Sequence, residues 1–229
     1  HTLRIEDDVT LCLNGYSIRG MKRDDGALSP FTPWLATHGE FVITDCGGGS
    51  IGDLTLSGGK MTMYGGSIPE GTTLAIVKRG EFYAESGAEI NGKIINSGKI
   101  SGGTFNGEVL NEQGTIGGGT FNGKVTNKGG TINDGTFTGT VDNVLFPYYY
   151  DDGGVSGGNA AHINGGIFTE TSTVNNIGCF IENGTFHGKV TVTGYYDGPD
   201  GLRRPGDING GTFTETSEVT VAIQGGISG

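Results

Sequence analysis

Residues 102–143 read GGTFNGEVLNEQGTIGGGTFNGKVTNKGGTINDGTFTGTVDN, nearly the same phrase three times over, with glycine in the gaps. So much glycine disfavours a helix and weakens an isolated strand. Local propensity therefore does not hold this stretch together, and the apolar residues between the glycines must. An Ile is followed five residues later by a Phe at Ile100/Phe105, Ile116/Phe121, Ile132/Phe137, Ile163/Phe168, Ile181/Phe186 and Ile208/Phe213. A valine follows each Phe after four residues (Val109, Val125, Val141, Val190) or six (Val174, Val219). The next Ile usually comes seven residues after that valine, so the unit is sixteen residues, sometimes eighteen.

Three short β-type segments per unit are too few for a hairpin sheet, and the links are too short for crossover helices. A coil satisfies both limits. Each unit makes one turn of a three-sided solenoid, and each strand pairs in parallel with its counterpart one turn away, at roughly 4.8 Å. Phe then stacks on Phe, Ile on Ile and Val on Val. The expected class is all-β: a single right-handed parallel β-helix over 1–229, the hand following the general rule for parallel crossovers. Within it, 1–99 are less regular coils, 100–143 are regular coils, and 144–229 are coils with inserts at 144–161 and 194–207.

The stack also predicts polar ladders. Asn111, Asn127 and Asn143 are sixteen apart, as are Asn106 and Asn122, with Asn91 fifteen before. Corner positions in the left-handed conformation, bonded rung to rung, are the expected role. In the N-terminal third, Leu3, Ile5, Val9, Leu11 and Leu13 alternate, the step from Met63 to Ile68 repeats the Ile-to-Phe interval, and Ile90 and Ile94 take the Phe and Val slots.

Composition narrows the function. A net charge of −11 with only 14 Lys+Arg argues against a nucleic-acid partner. No apolar run is long enough to span a membrane. The first residues fall mid-pattern and 223–226 read like the start of another turn. The ends are therefore expected to be cuts through a longer solenoid, with open rungs able to associate end to end. Cys12, Cys46 and Cys179 form no CxxC pair; Cys12 and Cys46 are the pair that could join, but half-buried free thiols are the simpler expectation. Paired acids (Asp7-Asp8, Asp24-Asp25, Asp151-Asp152) lie off the regular strands, and the NTD, GHG and RIK marks of polygalacturonases are absent. No catalytic residue, cofactor or metal is expected, and calcium at Asp151-Asp152 or Asp197/Asp200 would be weak at most.

The candidate site lies where the repeat breaks. Val141 to Ile163 is twenty-two residues and Val190 to Ile208 is eighteen, so both inserts enter at the same corner, two turns apart. Insertions gathered on one edge are a usual way for a solenoid to build a binding surface. Five of the eight tyrosines sit there: Tyr148, Tyr149, Tyr150, Tyr195 and Tyr196. Asp151, Asp152, Asp197 and Asp200 follow them, with Arg203 and Arg204 close behind. Such residues suit a glycan, by ring stacking and hydrogen bonds, or a protein partner, and the simpler reading is tyrosines packed over the corner. A third excursion, over 19–40, carries Trp34, which is expected to cover the end of the coil.

DVTLCLNGYSI (8–18) and FVITDCGGGSIG (41–52) resemble the opening of pectate-lyase-like right-handed parallel β-helix regions. The resemblance extends to the GGTFNG and GGTI repeats and points to large adhesin-like surface proteins of gut Gram-positive bacteria. Cys12 stands where these proteins usually carry Asp. The resemblance implies an extracellular or cell-surface module, stalk or adhesin-like and without catalysis, whose partner is a glycan or a host surface protein. The rival class is a polysaccharide lyase or glycoside hydrolase, which a groove with paired carboxylates would favour.

Overall fold

The computed structural model describes residues 4–5, 7–18, 21–22, 28–29, 34–35, 39–149, 155–196 and 203–222. It is an all-β, three-sided parallel β-helix. An Ile-bearing sheet has ten strands, from Val9–Cys12 to Asp207–Ile208. A Phe-bearing sheet has ten, from Ser17–Ile18 to Thr212–Phe213, and a Val-bearing sheet nine, from Leu54–Leu56 to Glu218–Ala222.

The registers are those the repeat demands. Ile100 pairs with Ile116, Ile116 with Ile132, Phe105 with Phe121, Phe121 with Phe137, Val109 with Val125 and Val125 with Val141. The pairing carries across the first insert, with Ile132 on Ile163 and Phe137 on Phe168. All these side chains are buried in one continuous core. Phenylalanine rings stack at 5.0, 5.0, 4.9, 4.6 and 4.9 Å from Phe105 to Phe213, nearly parallel. Stacking adds geometric specificity to area burial, since a shift of one residue would turn every ring outward.

Two expectations change. The Ile slot of the earlier coils is filled by Phe41, Met61 and Phe82, which pair in series and lead to Ile100; Met63 instead pairs with Ala84. Strands Glu40–Thr44, Gly59–Met63 and Gly80–Ala84 of this face are five residues long and bury two alternate apolar side chains, such as Met61 and Met63, where the regular coils bury one. A register shift between Phe82 and Tyr83 marks the change. Ile90 and Ile94 do pair with Phe105 and Val109.

The second change concerns asparagine. Asn96, Asn111, Asn127, Asn143 and Asn176 lie inside the corner, fully buried, and none has a positive φ. The Nδ2 of each of the first four donates to the Oδ1 of the next rung, at 2.6, 2.7, 2.8 and 2.7 Å. Asn111, Asn127 and Asn176 also donate to the carbonyls of Gly114, Gly130 and Cys179, each of which accepts a backbone amide of the next rung as well. An amide with two donors and a two-lone-pair acceptor is what such a chain needs. The left-handed conformation falls instead on the residue two places on, at Gln113 (φ 60), Gly129 (φ 61) and Gly178 (φ 62). Asn91, Asn106 and Asn122 form a second ladder outside another corner, at 2.9 and 2.8 Å.

Trp34–Leu35 pairs in parallel with Arg4–Ile5, so the 19–40 excursion adds a short ribbon at the N-terminal end. The Trp34 side chain, and with it the expected lid, lies outside the described residues. So do 223–229, on which the expected further turn would fall. The last described strand of the Val-bearing sheet, Glu218–Ala222, pairs among the described residues with Lys189–Thr193 alone and is exposed along its length.

Candidate functional site

The interrupted corner joins the Val-bearing strands to the Ile-bearing ones. The first insert leaves after Thr140–Val144 and the second after Lys189–Thr193. Thr173–Ile177 lies between them in the sheet, so the two roots are two rungs apart on one edge. Each insert forms an antiparallel ribbon. Phe146–Tyr149 pairs with Val155–Asn159, and Tyr195–Tyr196 with Arg203–Arg204.

Glycine on the neighbouring rung lets both ribbons fold back. A Cβ on Gly129 would stand 2.5 Å from that of Phe146, and one on Gly178 would stand 2.5 Å from that of Tyr195. Phe146 and Tyr195 thus play the same part, each seating its ribbon on a corner that is left-handed and without a side chain. Lys128 Nζ lies 5.1 Å from the centre of the Phe146 ring and pairs with Glu112 at 3.3 Å, which ties the first ribbon to the stack.

The ribbons also meet. Leu145, Ala161 and Cys179 form a buried cluster apart from the main core, and Tyr195 packs against it. Leu145 and Ala161 belong to the first insert, Tyr195 to the second, and Cys179 to the rung between. The Ala161 amide donates to Cys179 Sγ at 3.3 Å, and burial pushes the Cys179 thiol up to about 11. Cys179 is thus a small apolar filler at this site, not a nucleophile.

Tyr195 therefore packs down over the corner, while Tyr148 is 44% exposed, with its ring edge-on to Phe146 at 6.1 Å. Tyr149 lies opposite Val155, and Tyr196 opposite Arg203. Tyr150, Asp151, Asp152, Asp197 and Asp200 lie outside the described residues. So do the side chains of Tyr149, Tyr196 and Arg203. Among the described residues, no three His, Cys, Asp or Glu side chains are grouped to hold a metal ion.

Sequence reasoning passed over a second feature. A cleft of about 460 Å3 opens at the corner between the Phe- and Val-bearing strands, lined by Glu70, Asn91, Lys93, Asn106 and Glu108. Its cause is a change of corner length. Ile68 to Leu74 spans six residues, but Ile90 to Ile94 spans four, so the 69–72 turn overhangs the rungs that follow. Thr72 closes that turn by donating its amide and hydroxyl to the Pro69 carbonyl, at 3.2 and 2.7 Å. On the far side, Lys93 pairs with Glu108 at 3.3 Å. The alternation of four- and six-residue corners was the available signal.

No protein-family model, curated protein or solved structure matches the chain.

Proposed function

We propose that the chain is a non-catalytic, extracellular β-helix module of a bacterial surface protein. It acts as a rigid stalk whose insert-bearing edge takes a glycan or a host surface protein. The bacterial and cell-surface part of this reading rests on the resemblance of residues 8–18 and 41–52. The binding part rests on one observation: two ribbons rooted two rungs apart share a buried cluster through Tyr195, and the same edge presents the half-exposed Tyr148. A joined, anchored pair loses less conformational entropy on meeting a partner than two separate loops would. Among the described residues Glu218–Ala222 is the last strand of its sheet, and its exposure suits end-to-end growth of the stack.

The test is a glycan array and a host-cell binding assay with the chain and its Tyr148→Ala variant. Binding that the variant loses, at unchanged melting temperature, supports the reading; a chain that binds neither glycans nor cells overturns it.

The Glu70–Glu108 cleft favours a second reading, a glycoside hydrolase, because two carboxylates flank an opening next to an amide ladder. Incubation with a panel of polysaccharides decides it. Release of reducing ends that Glu70→Gln and Glu108→Gln both abolish would support it, and intact polysaccharide would sink it.

A further inference from the structure

The three cysteines divide into one buried thiol and two exposed ones. Cys179 serves the insert cluster. The other two lie on the outside of the first two rungs, in the same corner. Strand Val9–Cys12 pairs with Glu40–Thr44 so that Cys12 faces Thr44, and Leu13 donates its amide to the Thr44 carbonyl at 2.9 Å. Beyond this point the two chains turn together. A Cβ built on Gly47 would stand 3.0 Å from the Gly15 Cα.

One carboxylate sets this turn. Asp45 accepts the amides of Gly15 at 2.8 Å, Gly49 at 2.7 Å and Gly47 at 3.2 Å. It draws 45–49 back over 13–15, so Cys46 does not continue away along the strand direction but returns toward Cys12. The thiols feel each other directly. The Cys46 thiol is held above its ordinary range, first by the charge of Cys12 and next by a hydrogen bond to it.

We propose that Cys12 and Cys46 join in a disulfide that staples the first rung to the second. The ladder sets Cys12 roughly 4.8 Å from Thr44, and the Asp45 turn carries the chain from there back to the Cys12 side, as a short disulfide requires. The oxidant is a small-molecule disulfide of the glutathione class. One cysteine loses its proton, and the thiolate attacks a sulfur of the oxidant, expelling one thiolate and forming a mixed disulfide. The second cysteine thiolate then attacks the protein sulfur of that intermediate and expels the other. One S–S bond is made in the protein, two S–H bonds are lost, and the oxidant takes up two electrons and two protons to become two thiols. The ring so closed includes the 19–40 excursion, and a cross-link of this kind lowers the entropy of the unfolded chain.

The experiment incubates the whole chain with glutathione disulfide, blocks residual thiols, and maps the peptides. The expected result is a Cys12 peptide linked to a Cys46 peptide, with Cys179 still a blocked thiol. Cys179→Ser should form the same link, whereas Cys12→Ser and Cys46→Ser should carry glutathione instead. In the oxidised chain, amide exchange at Leu13 and Tyr16 should slow by on the order of a hundredfold relative to the reduced chain. Glutathione retained on both cysteines, or links only between chains, overturns the proposal. A link that leaves exchange at Leu13 unchanged overturns its role as a staple.

Discussion

The regular tract and the insert-bearing edge use the same corner in opposite ways. At Asn111–Gly114 and Asn127–Gly130 the corner is closed by a buried amide and a left-handed residue, and nothing leaves it. After Asn143 and Val192 the same corner opens into a ribbon; the amide ladder runs on past the first, with Asn143 donating to Asn176 at 2.7 Å, and ends where Asn176 meets Val192 at the second. Because the core is already complete without the ribbons, the chain can vary its edge without disturbing the stack. Stability and recognition are therefore carried by different residues, and substitutions should separate them.

The largest effect is expected from the stack itself. Phe121→Ala removes a ring held between Phe105 and Phe137 and should cost about 3–5 kcal/mol in chemical denaturation. A loss below about 1 kcal/mol would mean that the rings do not carry the tract. Next comes the buried amide chain. Asn127→Ala leaves the Asn111 amide without its Oδ1 acceptor and the Asn143 Oδ1 without its donor, at a cost of about 3 kcal/mol. A solvent-exposed asparagine such as Asn122 should cost far less when replaced in the same way.

The edge should respond differently at its two tyrosines. Tyr195→Ala uncovers the Leu145/Ala161/Cys179 cluster and should cost about 1–3 kcal/mol. Tyr148→Ala should change stability by less than about 0.5 kcal/mol and affect only binding. Equal losses of stability at both positions would erase the division between seat and surface.

A smaller gain is expected at the closed corner. Gln113 holds φ 60 where the equivalent places have glycine, so Gln113→Gly should stabilise the chain by about 0.5–1 kcal/mol, read as a rise in denaturation midpoint. The smallest effect is local and depends on pH. The Gly15 amide first, then those of Gly49, Gly47 and Gly48, hold the Asp45 carboxyl below its ordinary 3.8 against an opposing desolvation that only the Gly15 bond exceeds. A lowered value means that the contribution is complete above the ordinary carboxylate range and disappears as pH falls through the lowered value. Amide exchange at Gly15 and Gly49, measured down a pH series and corrected for intrinsic rates, should lose protection there. Asp45→Asn should show the low protection at every pH.

The sequence alone was enough for the coil, because a core residue in a solenoid recurs at a fixed interval and its neighbour is a copy of itself. Ile116 can only meet Ile100 and Ile132 if the period is sixteen. The same arithmetic located both inserts at one corner. Counting intervals could not say which side of the wall a polar residue takes. Asn127 and Asn122 recur equally well, yet one is buried and the other exposed, since burial depends on where the corner bends. Nor could it separate Tyr195, drawn down by Gly178 and the Leu145 cluster, from Tyr148, which stays half-exposed. The period of a solenoid is a property of one dimension and is written along the chain. Which face a side chain shows, and which non-repeated neighbours it meets, follows from the closed cross-section, and that exists only once the turns are stacked.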